Sequence, residues 1–324
     1  MSVPGFDSRW VDFPDYILGI TKEIWEERNI SALHHYYSED IIVRTPGAVT
    51  VGNQGVIAAT MATLAEFPDR ILLGEDVIWS GDESSGFLSS HRILSTATHV
   101  NDGVYGKASG KKFTYRIIAD CAAKENTIYD EWLIRDQGAI VRQMGWQPEA
   151  FARDLIEREG GSEHCVKPLT IDNDVKGPYT STGNEHTVGQ RYADILSRIM
   201  NAEMSAINAD YDRACILEYP GGVTGHSHND ADQFWMGLRS ALPSARFSID
   251  HVIGREDPMM PPRAAVRWSL QGKHDGWGMF GAPTHADVFV LGLSHAEFGP
   301  WGLRREYTLF DETAIWKQLV LQKG

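Results

Sequence analysis

The chain is predicted to fold as two tandem α+β domains, each a strongly curved, mostly antiparallel sheet covered by three helices. Three observations carry this. The 324 residues repeat at an offset of 175. Each copy opens with helical periodicity, continues as a run of short strands and closes on one short helix, the order of an α+β fold. Each copy also has the size of a small domain, and two copies are too few for a solenoid.

The repeat is clearest over residues 268–319. His274, Gly278 and Gly281 recur as His99, Gly103 and Gly106. Glu306 and Asp311 recur as Glu131 and Asp136, and Ala314, Ile315 and Gln318 as Ala139, Ile140 and Gln143. The same offset, without a gap, carries Arg267 onto Arg92, Val252 and Ile253 onto Val77 and Ile78, Pro243 onto Pro68, and Tyr211 onto Tyr36. Identities are few but fall in ordered blocks, so the duplication is old. The expected division is a first domain over 1–150, an extra helix and linker over 151–185, and a second domain over 186–324.

Each element has its own signal. Residues 14–29 place Ile17, Ile20, Ile24 and Trp25 on one helical face, with Lys22, Glu23, Glu26 and Glu27 off it. A shorter helix is expected over 31–38, an extended run over 41–44, and a third helix over 52–67 that Pro68 ends. Stretches 71–79, 86–98, 112–121 and 126–135 are β-branched and aromatic with Gly, Asp and Asn between them, and read as antiparallel strands. Helix returns over 136–144. The second copy repeats this order: helix over 189–208, a second helical stretch including Tyr211, a third helix over 230–242, strands within 247–310 and a last helix from Asp311. Between the copies, 148–159 reads as an extra helix and 160–183 as a linker with little periodicity.

Composition narrows function. The formal charge of −14 argues against nucleic acid and anionic membrane as partners. Three scattered cysteines argue for a reducing compartment and against a disulfide framework or Cys-rich zinc site. The N-terminal residues 1–7 lack a basic start and an apolar run, and no stretch is long enough to span a membrane. A cytoplasmic protein is expected.

Certain residues carry a family resemblance. They are Trp268, Gly272, His274 and Gly281 to Thr284, then Arg304, Glu306, Tyr307, Asp311, Gln318 and Leu319. In the first copy they are Thr98, His99, Gly106, Glu131, Trp132, Asp136, Gln143, Met144 and Gly145. The pattern resembles the nuclear-transport-factor-2-like superfamily, and within it the SnoaL-like polyketide cyclases, over nearly the whole chain outside 150–185. The resemblance implies cone-shaped domains with a pocket between helices and sheet. It implies no cofactor, and a base on the last strand just after the tryptophan, removing a proton α to a carbonyl with help from a His on the neighbouring strand. It also implies contact through the sheets, either within this chain as a pseudo-dimer or in a further homodimer. The residue after Trp132 is Leu133 and the one after Tyr307 is Thr308, and neither can act as a base. The neighbouring-strand position corresponds, within a residue, to Asp120 and His295.

Glu131 and Glu306 lie two residues before Leu133 and Thr308, so strand alternation puts them on the same face as the family's base. Desolvation in an apolar pocket would raise their pKa toward neutrality, as a general acid or base requires. The alternative is a structural acceptor. His295 opposite Glu306, and Asp120 opposite Glu131, would make acid–base couples across antiparallel pairs; the alternatives are a packed His and a turn-bonding Asp. His99 and His274 are either catalytic or ties for the glycine turn. Asp136 and Asp311 read as helix caps. His226, His228, Asp230 and Asp232 look superficially metal-like, but the first copy has no His there, so a polar loop and helix start are expected and no metal. Tyr36, Trp132, Tyr211, Trp235, Trp268 and Tyr307 are candidates to line a pocket for an apolar or aromatic carbonyl substrate. The expectation is an enzyme of the lyase or isomerase type using metal-free acid–base chemistry (ring closure, retro-aldol cleavage, dehydration or a double-bond shift). Glu306 would be the base, His295 its partner, and the second copy the better-equipped site. The alternative is a non-catalytic binder of an apolar ligand.

Overall fold

The computed structural model describes residues 3–322. Met1 and Ser2, at the head of the stretch read as lacking a leader, lie outside the described residues. In the first copy, α1 (Phe13–Thr21) is followed by α2 (Leu33–Tyr36), β1 (Tyr37–Thr45), β2 (Ala48–Val51), α3 (Asn53–Glu66), β3 (Ile71–Asp82), β4 (Gly86–Thr98), β5 (Lys112–Lys124), β6 (Thr127–Arg135) and α4 (Gln137–Gln143). After α5 (Pro148–Arg158) and an irregular linker, the second copy runs α6 (Thr187–Met200), α7 (Ser205–Asp210), β7 (Tyr211–Tyr219), β8 (Val223–His226), α8 (Ser227–Ala241), β9 (Arg246–Arg255), β10 (Arg263–Lys273), β11 (Asp287–Gly299), β12 (Gly302–Leu309) and α9 (Glu312–Gln322). The sheets have matching orders, β2-β1-β6-β5-β4-β3 and β8-β7-β12-β11-β10-β9. β1 runs parallel to β6 and β7 to β12; the other pairs are antiparallel. The result is two tandem α+β cone-like domains.

Local chemistry explains most boundaries. Asp12 caps α1 by accepting from Asp15 N at 2.8 Å. The helix expected to reach residue 29 passes into a π turn over Lys22–Glu26 and ends where Arg28 takes φ 62°. Two corrections follow from the short second helices. Tyr211 opens β7 instead of lying in a helix, and the stretch read as 31–38 gives way to strand at Tyr37. Register also shows one gap in the repeat. Val43 pairs with Glu131 and Leu217 with Glu306, so here the offset is 174 and Tyr211 is equivalent to Tyr37, not Tyr36. The hairpin strands β2 and β8 were not expected; each is four residues long and too short for periodicity to register.

β4 is buried at nearly every position, not at every second one. Its inner face closes over a cone and its outer face meets the other domain. The two sheets pack back to back through Ile118, Ile134, Leu291, Leu293 and Leu309, and through Ile78, Leu88, Ile253 and Ala265. Pseudo-symmetric polar contacts sit between these clusters. Arg267 Nη1 donates to Asp120 Oδ2 at 2.6 Å. At the equivalent place Arg92 Nη1 lies 3.2 Å from His295 Nδ1, while Ser90 Oγ is 2.8 Å from His295 Nε2. The cap Asp136 reaches across as well. It accepts from Ala139 N of α4 and from Gly221 N and Gly222 N of the second domain, at 2.8–2.9 Å. Asp311 accepts from Thr313 N and Ala314 N at the start of α9, so both aspartates are caps, as read.

Candidate functional site

Inside the first cone lies a small cavity of about 50 Å³, walled by Ile17, Ile20 and Trp25 from the helical side and by Ile93, Ile117 and Leu133 from the sheet. Its polar lining includes Glu131, His91, Arg70 and Arg135, with Thr21 and Tyr37 beside them. Strand alternation places all of these but Arg70 and Thr21, which lie on no strand. Glu131, Leu133 and Arg135 follow one another on the inner face of β6, and His91 stands on β4 opposite Ala119 of β5, another cavity residue.

Glu131 is only 5% exposed. Burial in these apolar walls pushes its carboxyl up to about 7, against the opposing pull of the Tyr37 hydroxyl and the Arg135 guanidinium. His91 is held neutral, since burial lowers its imidazolium to about 4. Its Nδ1 is 3.1 Å from Ser89 Oγ, which orients the ring. Cys121 also lines the cavity, but burial raises its thiol well above the ordinary value, so it is not a ready nucleophile.

The second cone is filled. Glu306 is fully buried and its carboxylate accepts four hydrogen bonds. Tyr192 and Tyr211 hydroxyls donate to Oε1 at 2.8 Å, and the Tyr219 hydroxyl and Trp235 Nε1 donate to Oε2 at 2.7 and 3.3 Å. Burial raises this carboxyl too, and the four donors hold it back. At the repeat offset, Tyr192 stands for Ile17, Trp235 for Thr60, Trp268 for Ile93 and Phe310 for Arg135. Rings therefore occupy the volume that is hollow in the first domain. Val266 replaces His91 and Ala245 replaces Arg70, so the polar equipment is gone as well.

Several expected site residues lie elsewhere. His295 pairs with Tyr307, and Glu306 with Ala296, so His295 and Glu306 are on opposite faces of the sheet and form no couple. In the same way Asp120 pairs with Trp132, and Glu131 with Cys121. The one-residue shift tolerated for Asp120 and His295 turns both outward, into the contact between the sheets. Trp132 and Tyr307 share that parity. The Arg267 guanidinium lies 3.7 Å from the Trp132 ring centroid, and Arg92 lies 3.5 Å from that of Tyr307, so both rings line the domain contact instead of a pocket. Tyr36 bonds Glu23 Oε2 at 3.1 Å, outside the cavity lining. Tyr211, Trp235 and Trp268 are core of the filled cone.

His99 and His274 tie the glycine turns. Their Nδ1 atoms are 3.1 Å from Ser109 Oγ and Thr284 Oγ1, at equivalent positions. Those turns are closed by bridges between Gly103 and Gly106 and between Gly278 and Gly281. A Cβ on Gly103 would meet the Glu66 carboxylate at 2.2 Å, and one on Gly278 would meet Gly237 O at 2.4 Å, which explains why glycine recurs there. His228 is engaged by Asn208 Oδ1 and Tyr211 O. Among the described residues no three His, Cys, Asp or Glu side chains gather as a metal site. No helix among them is long and apolar enough to cross a membrane.

Arg135 was within reach of the period-two argument used for Glu131, one step further along the strand. His91 had a weaker signal, its neighbour Arg92 in the repeat. Arg70 had none, since it follows a turn.

A strongly curved six-stranded sheet, closed by helices around an inward-facing carboxyl, defines a cone-type α+β domain. Residues 16–144 match the family model described as SnoaL-like polyketide cyclase, and the two equivalent sheets fit a tandem duplication. Among solved structures the chain is similar to IdmH of Streptomyces antibioticus, at 20% identity over 41% of this chain and 98% of that one, TM-score 0.36. It is also similar to TsrD of Streptomyces laurentii, at 20% identity over 40% and 95%, TM-score 0.34. A SnoaL-like polyketide cyclase of Agrobacterium tumefaciens matches at 18% identity over 41% and 98%, TM-score 0.32. No curated protein matches the chain.

Proposed function

We propose that the first domain is an enzyme cavity for general acid–base chemistry on a small, flat carbonyl compound, and that the second domain is its scaffold. The observation that carries this is Glu131, a carboxyl in a hollow with its pKa raised to about 7. Leu133 occupies the position where the family is expected to hold its base, and Glu131 sits one step back on the same face. In this reading Glu131 takes the proton from the carbon next to the carbonyl. The electron pair moves onto the carbonyl oxygen, and neutral His91 serves as the donor toward that oxygen. The enolate then closes on a second carbonyl, expels a leaving group or is reprotonated elsewhere, which gives the cyclase, lyase or isomerase outcomes.

The test is α-proton exchange. Candidate ketones are incubated with the protein in D₂O, and loss of the α-proton signal is followed by NMR. The base must be ionised, so the exchange rate is expected to rise with pH through a midpoint near 7 and to fall away below it as Glu131 gains a proton. A rate no faster than buffer across that range overturns the reading and leaves a binding domain.

A further inference from the structure

Arg70 and Arg135 share the cavity with Glu131, and the chemistry above uses neither. The other buried arginines, Arg44, Arg92, Arg263 and Arg267, each face a carboxylate. Arg70 is equally buried, at 6% exposure, yet among the described residues it has no ion pair. Its Nε donates to Ser95 Oγ at 3.4 Å, and the Tyr115 hydroxyl, a neutral group, also neighbours it. Arg135 has none either, and its Nε is buried without a hydrogen-bond partner. Burial depresses the Arg70 pKa; Tyr115 opposes this, and the neighbouring Arg135 charge adds to the depression. Two guanidinium groups without anions are costly to bury. Around them are Leu72, Ile93 and Ile117, and Glu131, though it feels the Arg135 charge, makes no ion pair with it among the described residues.

We infer that the missing anion belongs to the ligand: the cavity takes a small carboxylic acid whose carboxylate docks against Arg70 and Arg135. A planar guanidinium fork matches a carboxylate in two-point contact. Spacing restricts the acid further. Arg135 is four residues beyond Glu131 on one strand, which separates their backbone positions by about 13 Å. The carbon acid at Glu131 therefore lies several bonds from the carboxylate, not next to it. This inference rests on the cavity being the substrate site, but not on Glu131 being the base.

The experiment is calorimetric titration of the full chain with benzoate and 2-naphthoate, each against its primary amide. At least one acid is expected to bind at least tenfold tighter than its amide. Arg135→Met should remove that preference, Arg135→Lys should retain part of it, and the amide affinities should stay unchanged. Glu131→Gln should keep the preference while proton exchange is lost, so a failure of catalysis and a failure of this inference are told apart. Equal binding of acids and amides, no saturable binding by either acid, or an undiminished preference in folded Arg135→Met would overturn it. The acid-to-amide comparison on the unaltered protein stands even if the variants fold poorly.

Discussion

Glu131→Gln is expected to lower turnover by roughly 10²–10⁴-fold, the usual contribution of a positioned general base. The fold should survive, and above neutral pH it should be firmer than the unaltered protein. The sign follows from linkage. The folded-state pKa of about 7 is above the ordinary value of 4.5. The group's favourable contribution is therefore complete below the unfolded pKa and is lost as pH rises through the folded one. At pH 8 the ionised carboxyl costs on the order of 3 kcal/mol, a cost the neutral amide avoids. Thermal unfolding of both proteins at pH 5 and pH 8 checks this. The variant should match the unaltered protein at the lower pH and exceed it at the higher one, a stability–activity trade-off localised to one side chain.

Glu306→Ala is expected to do the reverse. It removes the acceptor shared by Tyr192, Tyr211, Tyr219 and Trp235 and leaves four donors buried without it. Each stranded donor carries a desolvation penalty, and the lost carboxyl leaves a void among the rings. The combined cost is about 3–5 kcal/mol, in the range reserved for broken buried networks. Melting should fall by roughly 10 °C. Turnover per folded molecule should change by no more than a few-fold, because this carboxyl lies in the other domain, held by four donors. Denaturant titration alongside activity separates the two effects. Equivalent glutamates would then have opposite roles, one kept for its reactivity and the other for the ring cluster around it.

That divergence was only partly legible in the sequence. The duplication, the α+β order and most strand limits followed from periodicity, because hydrophobic spacing decides those directly. β4 was anticipated over its observed limits. Glu131 was found by parity along β6. The filling of the second cone was not legible because volume is not written in spacing. Nothing local indicates that Tyr192, Trp235 and Trp268 converge on Glu306, since that depends on three separate elements meeting. The His295 and Asp120 couples failed for a narrower reason. Side chains alternate, so an alignment uncertain by one residue chooses the wrong face of the sheet. Asp136 and Asp311 succeeded because capping is a short-range matter that sequence position alone determines.

Titration of the glutamate side-chain carboxyl carbons by ¹³C NMR bears most directly on the account, with the Glu131 signal assigned by its loss in Glu131→Gln. A midpoint near 7 is predicted for that one resonance. A midpoint in the ordinary range of about 4–4.5 would mean that water reaches the carboxyl freely, and it would contradict a proton-transfer role for the first cone.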